Sequence, residues 1–184
     1  MLQECPVTGA RAMIMPRGQP LLLPVNPAFI AASLVAGLAI NFVPLGRVVW
    51  TPDILMLLLA FWVVHQSQRI GMGVAFLLGL CMDVHQSSWL GQHALAYTVM
   101  AFGAMAMHRR LLWFSVPSQA LQVLPLFVLA HAVELLLRMV GGGVFPGFWG
   151  LLAPVLEALL WLPASWVLLA PQRRPPDRDE NRPL

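Results

Sequence analysis

The sequence predicts an all-α polytopic membrane protein, a bundle of six transmembrane helices. Apolar residues make up 59% of the chain and charged residues only 10%, against about 25% charged in an ordinary soluble domain. Mean hydropathy is +0.74. The apolar residues also fall into six runs, at 27–46, 52–66, 70–87, 90–107, 117–140 and 148–170, parted by short polar or glycine-rich breaks. A spanning helix needs about 20 residues. The first, fifth and sixth runs meet this easily, while the second and third are short. Five spans, or a re-entrant second and third segment, are the alternatives to six.

The first run begins near Ala28, after a tail rich in Pro and Arg, and no small-residue cleavage site follows it. It therefore reads as a retained span rather than a cleaved signal. The second opens on Thr51-Pro52-Asp53, which predicts Thr51 as N-cap, Pro52 at the first helical position and Asp53 as an acid favoured by the helix dipole. Gln66-Ser67-Gln68-Arg69, followed by Gly71, is the polar break that makes the second and third runs two spans.

In the third run Gly71, Ala75, Gly79 and Asp83 recur every four residues and share one helix face. Small residues on such a face let another backbone approach closely. A carboxylate in hydrocarbon is costly and normally faces protein or water. Asp83 is thus expected at the outer end of a helix contact, or else capping the next turn or pairing with an outer arginine. The fourth run starts with His93 and Tyr97 one turn apart, placed to hydrogen-bond each other or to anchor at the headgroups.

The fifth run carries His131, Glu134 and Arg138 on one face, with Glu134 and Arg138 spaced for an ion pair. Glu157 lies deep in the sixth, three residues after Pro154. At 1.5 Å per residue, His131 and Glu157 fall at similar depths, about 12–14 Å below the outer helix ends. Antiparallel packing of these two spans therefore predicts His131 beside Glu157, as a buried pair more than a proton relay. Trp50, Trp89, Trp113 and Trp149 flank the runs as interfacial anchors, whereas Trp62, Trp161 and Trp166 are expected to pack inside.

All basic residues are arginine, eleven in number, and the pI is near 9.7. They form neither a stripe nor a basic helix face, which argues against nucleic acid. With both termini cytoplasmic, nine of the eleven fall on the inner side and only Arg47 and Arg138 on the outer, the distribution that positive charge takes in membranes. The domains are then a cytoplasmic N-terminal tail (1–26), a six-helix membrane domain (27–170) and a disordered cytoplasmic tail (171–184).

Catalysis has little support. Cys5 and Cys81 form no framework or metal cluster, and a lone HxxE lacks the further ligands that zinc requires. Gly71-Met72-Gly73 lacks the Lys-Ser/Thr ending of a phosphate loop. Asp53 and Asp83, both near the outer surface, are the one pair that suggests an aspartyl dyad, but neither sits in a protease motif. No cofactor or metal is expected.

The landmarks Pro52-Asp53, Gly71, Gly73, Gly79, Asp83, Gly91, His93 and Ala94 sit within PDILMLLLAFW, GMGVAFLLGLCMD and LGQHALAY, with QALQVLPLFVLAH in the fifth run. Over roughly 28–170 the chain resembles the rod shape-determining protein MreD family. That resemblance implies a non-catalytic scaffold or regulator of the bacterial elongation machinery in the inner membrane. It implies MreC as partner, linked to MreB, RodA and the elongation-specific penicillin-binding transpeptidase, in support of peptidoglycan synthesis. It also implies a fold similar to the substrate-binding subunits of vitamin transporters, with Asp53, Gly79, Asp83, Gly91 and His93 shaping a core or partner groove. A homodimer through the small-residue face would compete with a partner there. The rival function is the substrate-binding subunit of a vitamin-type transporter, its pocket lined by His131, Glu134 and Glu157.

Overall fold

The computed structural model describes residues 26–43, 51–145 and 147–172. The tail with Cys5, Arg11 and Arg17, the connection with Arg47 and Trp50, and the tail with Arg173, Arg174, Arg178 and Arg182 lie outside the described residues. Six α-helices and no strand occur among those described: α1 (Pro27–Phe42), α2 (Ile54–His65), α3 (Met72–Gln86), α4 (Gln92–Leu111), α5 (Val116–Val140) and α6 (Leu152–Leu169). A 3-10 turn, Phe148–Leu151, leads into α6 and another, Ala170–Gln172, follows it. Two helical stretches, Val116–Val140 and Phe148–Gln172, are long and apolar enough to cross a membrane.

Helix α2 is the axis of the bundle. Its sequence, ILMLLLAFWVVH, is apolar all round, and a helix of that kind is stable only when enclosed. Every residue from Leu55 to Val64 except Leu58 is buried. Around it, α1, α4 and α6 form the enclosure, with α3 against α4 and α5 between α4 and α6. Lipid tails are as apolar as leucine, so packing and interhelical hydrogen bonds hold such a bundle together. Trp62 illustrates both: its ring meets Phe29 edge-on at 5.9 Å, and its Nε1–H donates to Ser33 Oγ at 2.7 Å. On the other side Trp161 of α6 lies 5.7 Å from Phe61.

The structure corrects the expected start of α2. Asp53, not Thr51, is the N-cap, its carboxylate accepting from Met56 N at 2.9 Å, and Pro52 precedes the helix. An ionised oxygen caps a helix at least as well as a hydroxyl. At the far end of α4 the helix continues through His108-Arg109-Arg110 to Leu111, three residues that read as a break in the sequence. Cations in a last turn favour helix continuation by complementing its dipole. Trp166 is 68% exposed on α6 rather than packed, whereas Trp62 and Trp161 are fully buried.

A buried polar chain at one end of the bundle

The ends that meet are the C-termini of α1, α3 and α5 and the N-termini of α2, α4 and α6. Asp83, in the last turn of α3, points at the start of α4. Gly91, with φ of 103°, turns the chain there in a left-handed conformation that favours glycine. Its N–H then donates to Asp83 Oδ2 at 2.7 Å, and His93 N donates to Oδ1 at 2.7 Å. Ser88 Oγ adds a hydrogen bond at 3.0 Å. Asp83 thus caps α4 from a neighbouring helix, satisfying amides that would otherwise be orphaned at its N-terminus. Among the described residues it makes no ion pair with an arginine; its ionisable neighbour is the imidazole of His93.

Close approach makes this possible. A Cβ on Gly79 would lie 2.4 Å from Ala94 Cα, so α3 and α4 touch backbone to backbone. The small-residue face is occupied within the chain by α4, and Ala75, Gly79 and Asp83 are buried against it. Gly71 lies off that contact, with open space around it, and is the N-cap of α3.

From His93 the chain of polar contacts continues across the bundle. His93 Nδ1 is 2.8 Å from Asp83 Oδ1, and its Nε2 is 3.2 Å from Glu134 Oε1 on α5. Glu134 Oε2 is 3.6 Å from His131 Nδ1. His131 Nε2 is 2.9 Å from Glu157 Oε1 on α6, which brings together the two residues matched by depth. The same oxygen of Glu157 accepts from Asp53 N at 2.8 Å. Asp53 Oδ1 accepts from Asn41 Nδ2 of α1 at 2.6 Å, and Tyr97 of α4 donates to Oδ2. Acids and imidazoles alternate from Asp83 to Glu157, and all six helices reach the chain. Asp83 and Glu157 are almost fully enclosed; His131 and Glu134 keep side-chain exposures of 22% and 25%.

Several expected partners differ. Tyr97 is fully buried and bonds Asp53; its ring meets His93 edge-on at 6.3 Å, so it neither hydrogen-bonds His93 nor reaches the headgroups. Glu134 is held by two histidines and makes no ion pair with the exposed Arg138 among the described residues. An imidazole from a packed helix replaces a solvent-exposed pair that is worth little. Asp53 and Asp83 each bind different partners and do not form a dyad. Asn41 and Ser88 belong to the chain but carry no motif; a lone amide closing an apolar run was the signal for Asn41. Among the described residues no group of three or more potential ligands could hold a metal.

These features define a helical membrane bundle whose buried acids and their histidine partners are engaged with one another rather than displayed around a reaction centre. The family model for rod shape-determining protein MreD matches residues 22–169. Rod shape-determining protein MreD of Haemophilus influenzae is 32% identical over 133 residues, which cover 68% of this chain and 76% of that protein. The chain therefore belongs to the MreD family, a family of shape-determining structural proteins and not enzymes. No solved structure matches it.

Proposed function

We propose that the chain is a non-catalytic scaffold of the cell-elongation machinery, seated in the bacterial inner membrane by six spans with both termini in the cytoplasm. It acts by binding MreC, and through that contact it joins MreB, RodA and the elongation-specific transpeptidase in supporting peptidoglycan synthesis. The observation that carries this reading is the polar chain itself. A charge buried in a bundle is costly unless paired, and here each acid is paired with a group on another helix. Such cross-bracing suits a rigid body that presents fixed outer faces to partner helices. The six-helix fold, of the kind that vitamin-transporter substrate subunits use, serves here without transport. A homodimer through an exposed helix face is the competing assembly.

The test is gentle purification of the tagged full chain from its native membrane, with identification of what accompanies it. Recovery of an MreC-like single-span protein is the expected result, alongside rounding of rod-shaped cells on depletion of the chain. Recovery of ATPase subunits with a tightly held small molecule would instead make this a transporter component.

A further inference from the structure

At the end of the bundle opposite the polar chain, α4 finishes in Arg109 and Arg110, and the chain turns through Trp113 and Phe114 into α5. These four side chains line an open hollow of ≈ 560 Å³. Both arginines are exposed, and Trp113 is 90% exposed. The four acids among the described residues, Asp53, Asp83, Glu134 and Glu157, all belong to the polar chain. Between Asp83 and Glu134 the sequence contains no acid at all. From His93 to Arg109 is sixteen helical residues, about 24 Å along α4. No acid of the polar chain reaches that corner.

The twenty residues of α4 span about 30 Å, the thickness of the hydrocarbon core. With its start among the outer polar groups, its end falls at the opposite headgroup level. Guanidinium groups bind phosphate through forked pairs of N–H donors, and indole rings favour the same interface. We infer that the Arg109–Arg110–Trp113–Phe114 hollow binds the phosphate headgroup of an anionic phospholipid of the cytoplasmic leaflet. The aromatic rings lie along the glycerol and upper acyl region while the two arginines hold the phosphate. This rests on the six-span orientation proposed above.

The test places the full chain in phosphatidylcholine nanodiscs containing either brominated phosphatidylglycerol or brominated phosphatidylcholine, and reads quenching of Trp113 as the difference from Trp113→Phe. Phosphatidylglycerol is expected to be preferred at the corner by about thirtyfold, the factor for two arginines near an anionic surface. The paired change Arg109→Gln with Arg110→Gln should abolish the preference. The charge-keeping pair Arg109→Lys with Arg110→Lys should retain most of it, and Arg69→Gln should leave it intact. Equal quenching by the two lipids overturns the inference, as does a preference indifferent to both arginines. So does a preference lost when residues 173–184 are removed, which would assign the lipid to the tail arginines, or one displaced by millimolar inorganic phosphate, which would make the ligand a soluble anion. Orientation is read separately, by labelling Ser115→Cys from each side of right-side-out vesicles in a Cys5→Ser, Cys81→Ser background. Labelling from outside would refute the orientation itself, whereas inner labelling without lipid preference would refute only the lipid site.

Discussion

Replacing Gly79 with alanine tests the α3–α4 contact on which the polar chain depends. The new methyl carbon would lie 2.4 Å from Ala94 Cα, 2.6 Å from Ala94 N and 2.8 Å from His93 C, all backbone atoms that cannot swing aside. Ordinary contact begins at 3.4 Å, so the helices must part by about 1 Å. The bonds from Gly91 N and His93 N to Asp83, now 2.7 Å each, would stretch to about 3.7 Å, beyond hydrogen-bond range. Overpacking costs about 1–3 kcal/mol, and each lost bond to a charged group about 1.5–3 kcal/mol. A net loss of about 3–6 kcal/mol follows, since part of the strain is relieved as the bonds stretch. In a chain of this size each kcal/mol moves the midpoint by about 2–4 °C, so thermal unfolding in mild detergent should drop by at least about 6 °C. Gly73→Ala, on the same helix with nothing within 4 Å of the added carbon, is the matched control and should unfold at or slightly above the parent temperature, because alanine is the better helix former. If the two variants unfold within about 2 °C of one another, the backbone contact is not as described. If instead Gly79→Ala unfolds well below Gly73→Ala, a loss of partner recovery in a bulky Gly79 variant reports a broken bundle rather than a lost interface.

The same unfolding measurement applies to Asp83→Asn, which keeps the size of the side chain but gives up the charge facing His93 and the α4 amides; a loss of about 2–4 kcal/mol is expected, and an unchanged midpoint would show that the Asp83 cap does not hold α4 in place. Tyr97→Phe deletes the hydroxyl donated to Asp53 and should cost about 1.5–3 kcal/mol, with wild-type stability counting against that bond. Disulfide crosslinking of His131→Cys with Glu157→Cys should succeed in membranes; failure while neighbouring pairs crosslink would refute the α5–α6 register.

Much of this architecture was legible because membrane helices are announced by composition. Polar breaks such as Gln66–Arg69 fall between helices, and the depth argument placing His131 beside Glu157 needed only helix rise and antiparallel packing. The face of α3 was legible too, from the spacing of Ala75, Gly79 and Asp83. What the spacing could not say was what lies on that face, since a small-residue stripe accepts a helix of its own chain as readily as a partner's. The errors arose where a local rule met a competing group from elsewhere in the fold. Thr51-Pro52 is a sound helix start by local chemistry, but Asp53 can cap α2 while also receiving Tyr97 and Asn41 from two other helices. Glu134 and Arg138 have the spacing of an ion pair, yet His93 reaches Glu134 from α4, and no sequence spacing reveals that residue 93 faces residue 134. Ser88 could not be read for the same reason: its role is defined by where Asp83 ends up.

The alternation of acids and imidazoles has a consequence for how the bundle holds together. In hydrocarbon an apolar helix gains little by leaving lipid for a neighbour, so with the six spans proposed above hydrophobic burial alone gives the helices a weak reason to assemble. Polar partners change that balance, because withdrawing one helix strands a group on the next. Removing α4 would leave Asp83 without its amides and Glu134 without His93; removing α6 would leave His131 without Glu157. Each helix is thereby held by the cost its departure imposes on others, which makes the bundle cooperative from short and weakly amphipathic pieces. The polar chain lies at one end only, while the outer sides of α3, α5 and α6 keep exposed Phe76, Leu77, Leu121, Leu129, Leu159 and Trp166. A partner helix that docks along those sides meets a body whose internal order does not depend on it. Substitutions meant to separate partner binding from folding therefore belong on those sides, and not at Gly79, Asp83 or His93, where assembly of the chain itself is decided.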